Sequence, residues 1–190
     1  MEKDKVHDQD KAQARDAVAE LHDVMRYQLE RAASAARKTI AEPMLIAPLI
    51  QRLCAAMKKV YVGQSVSLSI DINSDCVFFG EQRDFMELAG NLIDNACKYS
   101  NGKVSINAHN TDDNTRRPGL TLNVHDNGPG LKPEKFAQLM QRGMRGDEKA
   151  DGHGIGLAIV AEIADAYQAE IKAVPSDLGG LQIIIAFPGF

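Results

Sequence analysis

Two glycine-rich turns, Asp126-Asn127-Gly128-Pro129-Gly130 and Gly152-His153-Gly154-Ile155-Gly156-Leu157, enclose a polar stretch that carries Arg142, Arg145, Asp147, Glu148, Lys149 and Asp151. No other feature constrains the fold as much. The stretch holds too little apolar surface to form a layer of a core, so it reads as a surface loop caught between two fixed turns. The second turn runs into the apolar run Ile155 to Val160, which places its glycines where a loop becomes a helix. Backbone N–H groups at a helix start are unpaired and carry the positive end of the dipole, and without Cβ atoms they can approach an oxyanion closely. The stretch therefore reads as a lid over a nucleotide that orders when the triphosphate binds. The bland alternative is a helix start with a hinge. The triplet is not the dinucleotide fingerprint, which needs a compact strand-turn-helix unit and a later acidic residue, nor a Walker A loop, which ends in Gly-Lys-Ser/Thr.

A second constellation lies on the helix read over roughly 81–99. Phe85, Leu88, Ala89, Leu92, Ile93 and Ala96 make its apolar face, while Glu87, Asn91, Asn95 and Lys98 recur at helical spacing on another. Asparagine is a poor helix former, so two of them one turn apart need a reason. Carboxamide oxygens are hard, neutral ligands suited to a magnesium ion shared with substrate phosphates, and an ammonium one turn on meets those phosphates as a point charge. A plain solvated polar face is the alternative.

The rest of the chain builds the frame. From Ala12 to Lys38 there is no Pro or Gly, and Ala14, Val18, Leu21, Met25, Gln28, Ala32 and Ala35 alternate spacings of four and three, the seam of a coiled coil or helical hairpin. Such a narrow stripe wants a partner helix, hence self-association; packing along the chain's own globular part is the alternative. Pro43 and Pro48 mark a linker and a new helix start, and a helix to about Tyr61 follows. Alternation then marks strands over 66–72, 76–79, 104–108, 120–124, 170–174 and 181–187, with a buried helix over 154–167. The strand that starts at Leu120 delivers Asp126 to its end, where a carboxylate can accept a hydrogen bond from an exocyclic amine and Gly128 and Gly130 leave room for a flat base. Six strand signals, largely antiparallel neighbours, and three core helices give an α+β two-layer sandwich. A net charge of −4 without a basic block argues against nucleic acid as a partner. Cys54, Cys76 and Cys97 lie scattered in apolar surroundings and read as reduced, buried thiols of a cytoplasmic compartment. No apolar run reaches the roughly 18 residues of a membrane span.

In order and approximate spacing, Asn91-Leu92-Ile93-Asp94-Asn95-Ala96-Cys97-Lys98-Tyr99 resembles the N box of sensor histidine kinases, Asp126 to Gly130 their G1 box, and Gly152 to Leu157 their G2 box. Residues 43–190 are similar to the ATP-binding catalytic domain of that family, and residues 1–40 to a polar tail and the second helix of the dimerisation hairpin. The resemblance implies a Bergerat-type fold that binds ATP and Mg2+, with Asn95 as the main metal ligand and Asn91 beside it. Lys98 and Tyr99 would line the phosphate and base sides, and Asp126, with Gly128 and Gly130, would take the adenine. Gly152, His153, Gly154, Ile155, Gly156 and Leu157 would hold the triphosphate, and Arg142 and Arg145 would reach it from the lid. Two positions depart from the family pattern: Met140 stands where many relatives have a lid phenylalanine, and His153 where Thr or Gln is common.

ATP-hydrolysing cousins place a water-activating glutamate where this chain has Asn91, and an amide cannot take a proton. The resemblance therefore favours transfer to an external histidine over hydrolysis. None of His7, His22, His109, His125 and His153 has the family's acceptor context, so the acceptor helix is expected outside this chain. The implied partners are that helix, a response regulator receiver domain and a second copy of the kinase, and the implied setting is the cytoplasmic part of an inner-membrane sensor. An ATP-switched binding module and an anti-sigma-type serine kinase share the fold and remain as alternatives.

Overall fold

The computed structural model describes residues 42–111, 115–131 and 155–190. The seam helix over 12–38, Met140, Arg142, Arg145, Gly152, His153 and Gly154 lie outside the described residues.

Strand β1 (Pro43–Leu45) leads into helix α1 (Ala47–Val60), where Pro48 sits in the first turn with its missing N–H costing nothing. Leu49, Ile50 and Cys54 of α1 face inward, and Lys58 and Lys59 close its last turn, where the dipole favours cations. Then come β2 (Ser67–Ile72), β3 (Val77–Phe79), α2 (Gln82–Tyr99), β4 (Lys103–Asn110), β5 (Leu120–Asp126), α3 (Ile155–Ala166), β6 (Glu170–Pro175) and β7 (Leu181–Phe187). Five strands form one sheet in the order β2-β4-β5-β7-β6, with the helices on one face. The alternation read from the sequence shows as burial: Val104, Ile106 and Ala108 of β4 and Leu120, Leu122 and Val124 of β5 turn inward against Phe85, Leu88, Leu92 and Ile93 of α2.

One expectation needs correction. Pro43 is not in a linker: Pro43–Leu45 pairs antiparallel with β3, Pro43 opposite Phe79, in a separate two-stranded ribbon. With β1 bonded on one side only, a proline without an N–H is tolerated there. As expected, the neighbours in the large sheet are largely antiparallel, with one exception. β2 lies parallel to β4, Ser67 opposite Lys103 through Ile72 opposite Ala108, because β3 and α2 form a crossover between them.

The face of the sheet away from the helices is polar and ordered. Gln182 Nε2 donates to Asn123 Oδ1 at 3.3 Å, Asn123 Nδ2 to Asn107 Oδ1 at 2.7 Å, and Asn107 Nδ2 lies 3.0 Å from His125 Nε2. Burial holds the His125 ring below the usual histidine range, against the opposing pull of Asp177 and Asp126, so the neutral ring accepts the last bond.

Candidate nucleotide-binding site

The site is assembled from the polar face of α2, the end of β5 and the start of α3. Asn91 and Asn95 are half-buried, one turn apart. Asn91 Nδ2 donates to the Glu87 carbonyl at 2.8 Å, which uses the amide nitrogen and turns Oδ1 away from the helix backbone. Against that oxygen lies Gly156 in the first turn of α3. A Cβ at Gly156 would stand 2.8 Å from Asn91 Oδ1, too close unless that amide moves, and 3.6 Å from Asn95 Nδ2, an ordinary contact, so the glycine lets the helix start rest closely on the Asn91 amide. Leu157, next in the chain, is half-buried and packs on the core. The far end of α3 is fixed to the start of α2 through Tyr167, whose hydroxyl donates to Asp84 Oδ2 at 2.8 Å and accepts from the Glu81 N–H at 3.0 Å.

At the C-terminal end of α2, Lys98 and Tyr99 are exposed, with the Lys98 Nζ 5.4 Å from the Tyr99 ring centroid. The Tyr99 carbonyl presses on Gly128, where a Cβ would collide with it, and Gly130 has a φ of 72°, the left-handed region that favours glycine. Asn127 pins this turn in place. Its N–H donates to the Lys103 carbonyl at 3.2 Å, its Oδ1 accepts from the Lys103 N–H at 2.9 Å, and its carbonyl accepts from Asn101 Nδ2 at 2.9 Å.

Asp126 is 7% exposed, and its two carboxylate oxygens differ. Oδ1 accepts from the Gly128 N–H at 2.7 Å and from the Leu181 N–H at 3.2 Å, while Gly180 N–H donates to the Asp126 backbone carbonyl at 3.1 Å. Oδ2 has no hydrogen-bond partner among the described residues, and no buried side-chain oxygen there is left unsatisfied, so Oδ2 is the oxygen open to a ligand. A Cβ on Gly180 would run into the Asp126 carboxylate. Gly180 and the Leu181 N–H are not among the site residues read from the sequence, because no local pattern signals the part they play in holding Asp126.

The thiols stay out of the chemistry. Cys54, Cys76 and Cys97 are free and buried, and burial raises all three, Cys76 and Cys97 to about 11. Among the described residues no cluster of three His, Cys, Asp or Glu side chains could hold a metal. Two neutral amide oxygens are instead a donor set that fits a hard cation completed by water and phosphate oxygens.

This fold and this arrangement define a class of ATPase-like domain: residues 80–189 match the family of histidine kinase-, DNA gyrase B-, and HSP90-like ATPases, and the chain belongs to it. Among its relatives are the virulence sensor histidine kinase PhoQ of Salmonella typhimurium strain LT2, 42% identical over 142 residues, and the sensor protein PhoQ of Escherichia coli strain K12, 41% identical over 142 residues. Each match takes in 75% of this chain and 28% of the relative, so the chain spans well under a third of those proteins. Similar solved structures include the mycobacterial sensor histidine kinase MprB, with a TM-score of 0.65 and 22% identity over 79% of this chain and 98% of that one. The ATP binding domain of PrrB from Mycobacterium tuberculosis gives 0.63 and 22%, over 80% and 98%. The expected family and the α+β sandwich of sensor-kinase ATP-binding domains are thereby borne out.

Proposed function

We propose that the chain binds Mg-ATP and presents its γ-phosphoryl group to a histidine on a dimerisation helix, as the catalytic part of a two-component sensor kinase. The observation that carries this reading is the divided Asp126 carboxylate, one oxygen committed to the backbone and one open beside a glycine turn. Oδ2 accepts from the exocyclic amine of adenine; guanine offers a carbonyl oxygen there and is repelled. Gly128 and Gly130 give the base room, the exposed Tyr99 ring flanks it, and the Lys98 ammonium meets the phosphates. Asn95, with Asn91 beside it, would hold the magnesium ion, and the close rest of Gly156 on the Asn91 amide supports a phosphate-side role for the start of α3. When bound, the ion neutralises charge on the phosphate oxygens. Gly152, His153, Gly154, Ile155, Gly156 and Leu157 would hold the triphosphate, and Arg142 and Arg145 would contribute positive charge to it.

Transfer is positioning plus charge stabilisation: the bond from the γ-phosphorus to the bridging oxygen of ADP breaks as one forms to the unprotonated ring nitrogen of the acceptor histidine, and the proton on its other ring nitrogen passes to water. Asn91 cannot take a proton from water, so hydrolysis is slow. In the whole protein, residues 1–40 would supply the second helix of a dimerisation hairpin, 43–190 the catalytic domain, and a receiver domain would take the phosphoryl group onward on the cytoplasmic side of an inner membrane. Among the described residues no helix is long and apolar enough to cross a membrane.

The test is incubation of the chain with γ-labelled ATP, alone and with a separate acceptor hairpin. The expected result is no self-labelling, phosphate release near background, and acid-labile label on one hairpin histidine. Fast phosphate release, or label on serine, would refute the reading. Asn95→Ala should abolish metal-dependent nucleotide binding while the fold persists.

A further inference from the structure

Asp94 lies on α2 between Asn91 and Asn95 and one turn before Lys98. An aspartate and a lysine at i and i+4, with the acid on the N-terminal side, have the order and spacing that pair best on a helix. Here they do not pair. Asp94 Oδ1 accepts from the Tyr61 hydroxyl at 2.9 Å, the same hydroxyl lies 3.4 Å from the Asp94 carbonyl, and the Lys98 ammonium sits over the Tyr99 ring instead. Tyr61 is held by the fold. It caps α1, its N–H donates to the Met57 carbonyl at 2.9 Å, and its own carbonyl accepts from the Gln64 N–H at 2.9 Å. Burial, with the Asp94 carboxylate, pushes the Tyr61 hydroxyl up to about 12, so it stays a donor throughout the neutral range.

We propose that Tyr61 is a positioning residue for nucleotide binding, which holds the Asp94 carboxylate away from Lys98 and so leaves the ammonium to the phosphates. The inference rests on the reading of Lys98 as a phosphate contact. Without the hydroxyl, Asp94 turns toward its natural partner one turn on, and Lys98 is neutralised within the helix while a negative charge moves toward the triphosphate. Tyr61 needs no contact with the ligand, because it acts through the choice of partner that Asp94 makes.

Calorimetric titration of Mg-ATP and of adenosine into wild type, Tyr61→Phe, Asp94→Asn and the double variant tests this. Tyr61→Phe should weaken Mg-ATP roughly three- to tenfold, the scale of a weak helical ion pair plus one misplaced charge, and leave adenosine unchanged. Asp94→Asn should bind Mg-ATP at least as tightly as wild type, and the double variant should return to the Asp94→Asn affinity, because the competing charge is gone. A Tyr61 that merely packs α1 against α2 would give no such rescue, so a double variant as weak as Tyr61→Phe overturns the inference, as does an unchanged Tyr61→Phe. If Tyr61→Phe does not fold, Asp94→Asn decides alone: weakened Mg-ATP binding there means Asp94 assists the ligand directly and the inference is wrong. A wild-type chain that binds no ATP overturns the nucleotide reading and this inference together.

Discussion

Replacing Asp126 by Asn separates what its two oxygens do. The amide oxygen takes the place of Oδ1, because the Gly128 and Leu181 N–H groups at 2.7 and 3.2 Å both demand an acceptor there, and the NH2 group is thereby driven into the place of Oδ2. Two hydrogen bonds to a charged acceptor become two to a neutral one. With about 1.5–3 kcal/mol for the first kind and about 0.5–1.5 kcal/mol for the second, stability should fall by roughly 1–3 kcal/mol. Asp126→Ala leaves both N–H groups without an acceptor, at about 1–3 kcal/mol each, and should cost roughly 2–6 kcal/mol. On the ligand side the Asn variant turns a donor toward the adenine amine. That loses a charge-assisted bond of about 1.5–3 kcal/mol, or roughly 10- to 150-fold in Kd for ATP. Urea unfolding gives the first quantity and calorimetry the second. Asn as damaging to stability as Ala would refute the division of the carboxylate. Unchanged ATP affinity, or GTP competing equally with ATP on the wild type, would refute the assignment of Oδ2 to the base.

Gly180→Ala drives a Cβ into the Asp126 carboxylate and to 2.5 Å from the Gly128 nitrogen, all held by backbone bonds, so the urea midpoint should drop by the equivalent of about 1–3 kcal/mol; an unchanged midpoint would deny the crowding. Gly156→Ala meets instead the free end of a side chain, Asn91 Oδ1 at 2.8 Å, which can swing away. Its stability should change by no more than about 0.5 kcal/mol while Mg-ATP affinity falls, and intact affinity in a titration would remove Asn91 from the site. For His125 the folded ring is depressed below 6.5 by burial, so under acid the unfolded chain takes up protons first. Its contribution is therefore complete above about pH 6.5 and is lost as pH falls toward the folded value; His125→Gln should flatten that part of the pH dependence of the urea midpoint, and an identical slope in both proteins would refute it.

Periodicity made faces legible, and neighbours much less so. The alternation in Val104 to Ala108 told which side of β4 is buried, but nothing in a strand's own residues tells that β2 will lie parallel beside it, since that depends on the path taken by β3 and α2. β1 is three residues long and opens on a proline, and its partner β3 comes only after α1 and β2, so no local pattern could announce it. The site divides the same way. Asn91, Asn95 and Lys98 share a helical face that spacing alone reveals, and Asp126 ends a readable strand. Gly180 touches Asp126 only because β7 is set against β5 with Gln182 opposite His125, and Tyr61 reaches Asp94 only because α1 packs on α2. Both contacts belong to register and packing, which a single sequence does not display.

The amide chain on the outer face of the sheet runs one way: Gln182 gives to Asn123, Asn123 to Asn107, Asn107 to the bare nitrogen of His125. A proton on that nitrogen reverses the sense of the last link. Asn107 must then turn its oxygen to the ring, which sets its nitrogen against that of Asn123, so Asn123 must turn as well, and Gln182 after it. Three strands thus carry a polarity that a single proton sets. His125 stands just before Asp126, and Gln182 just after the Leu181 N–H that holds its carboxylate, so both ends of this relay adjoin the supports of the group proposed to recognise the base.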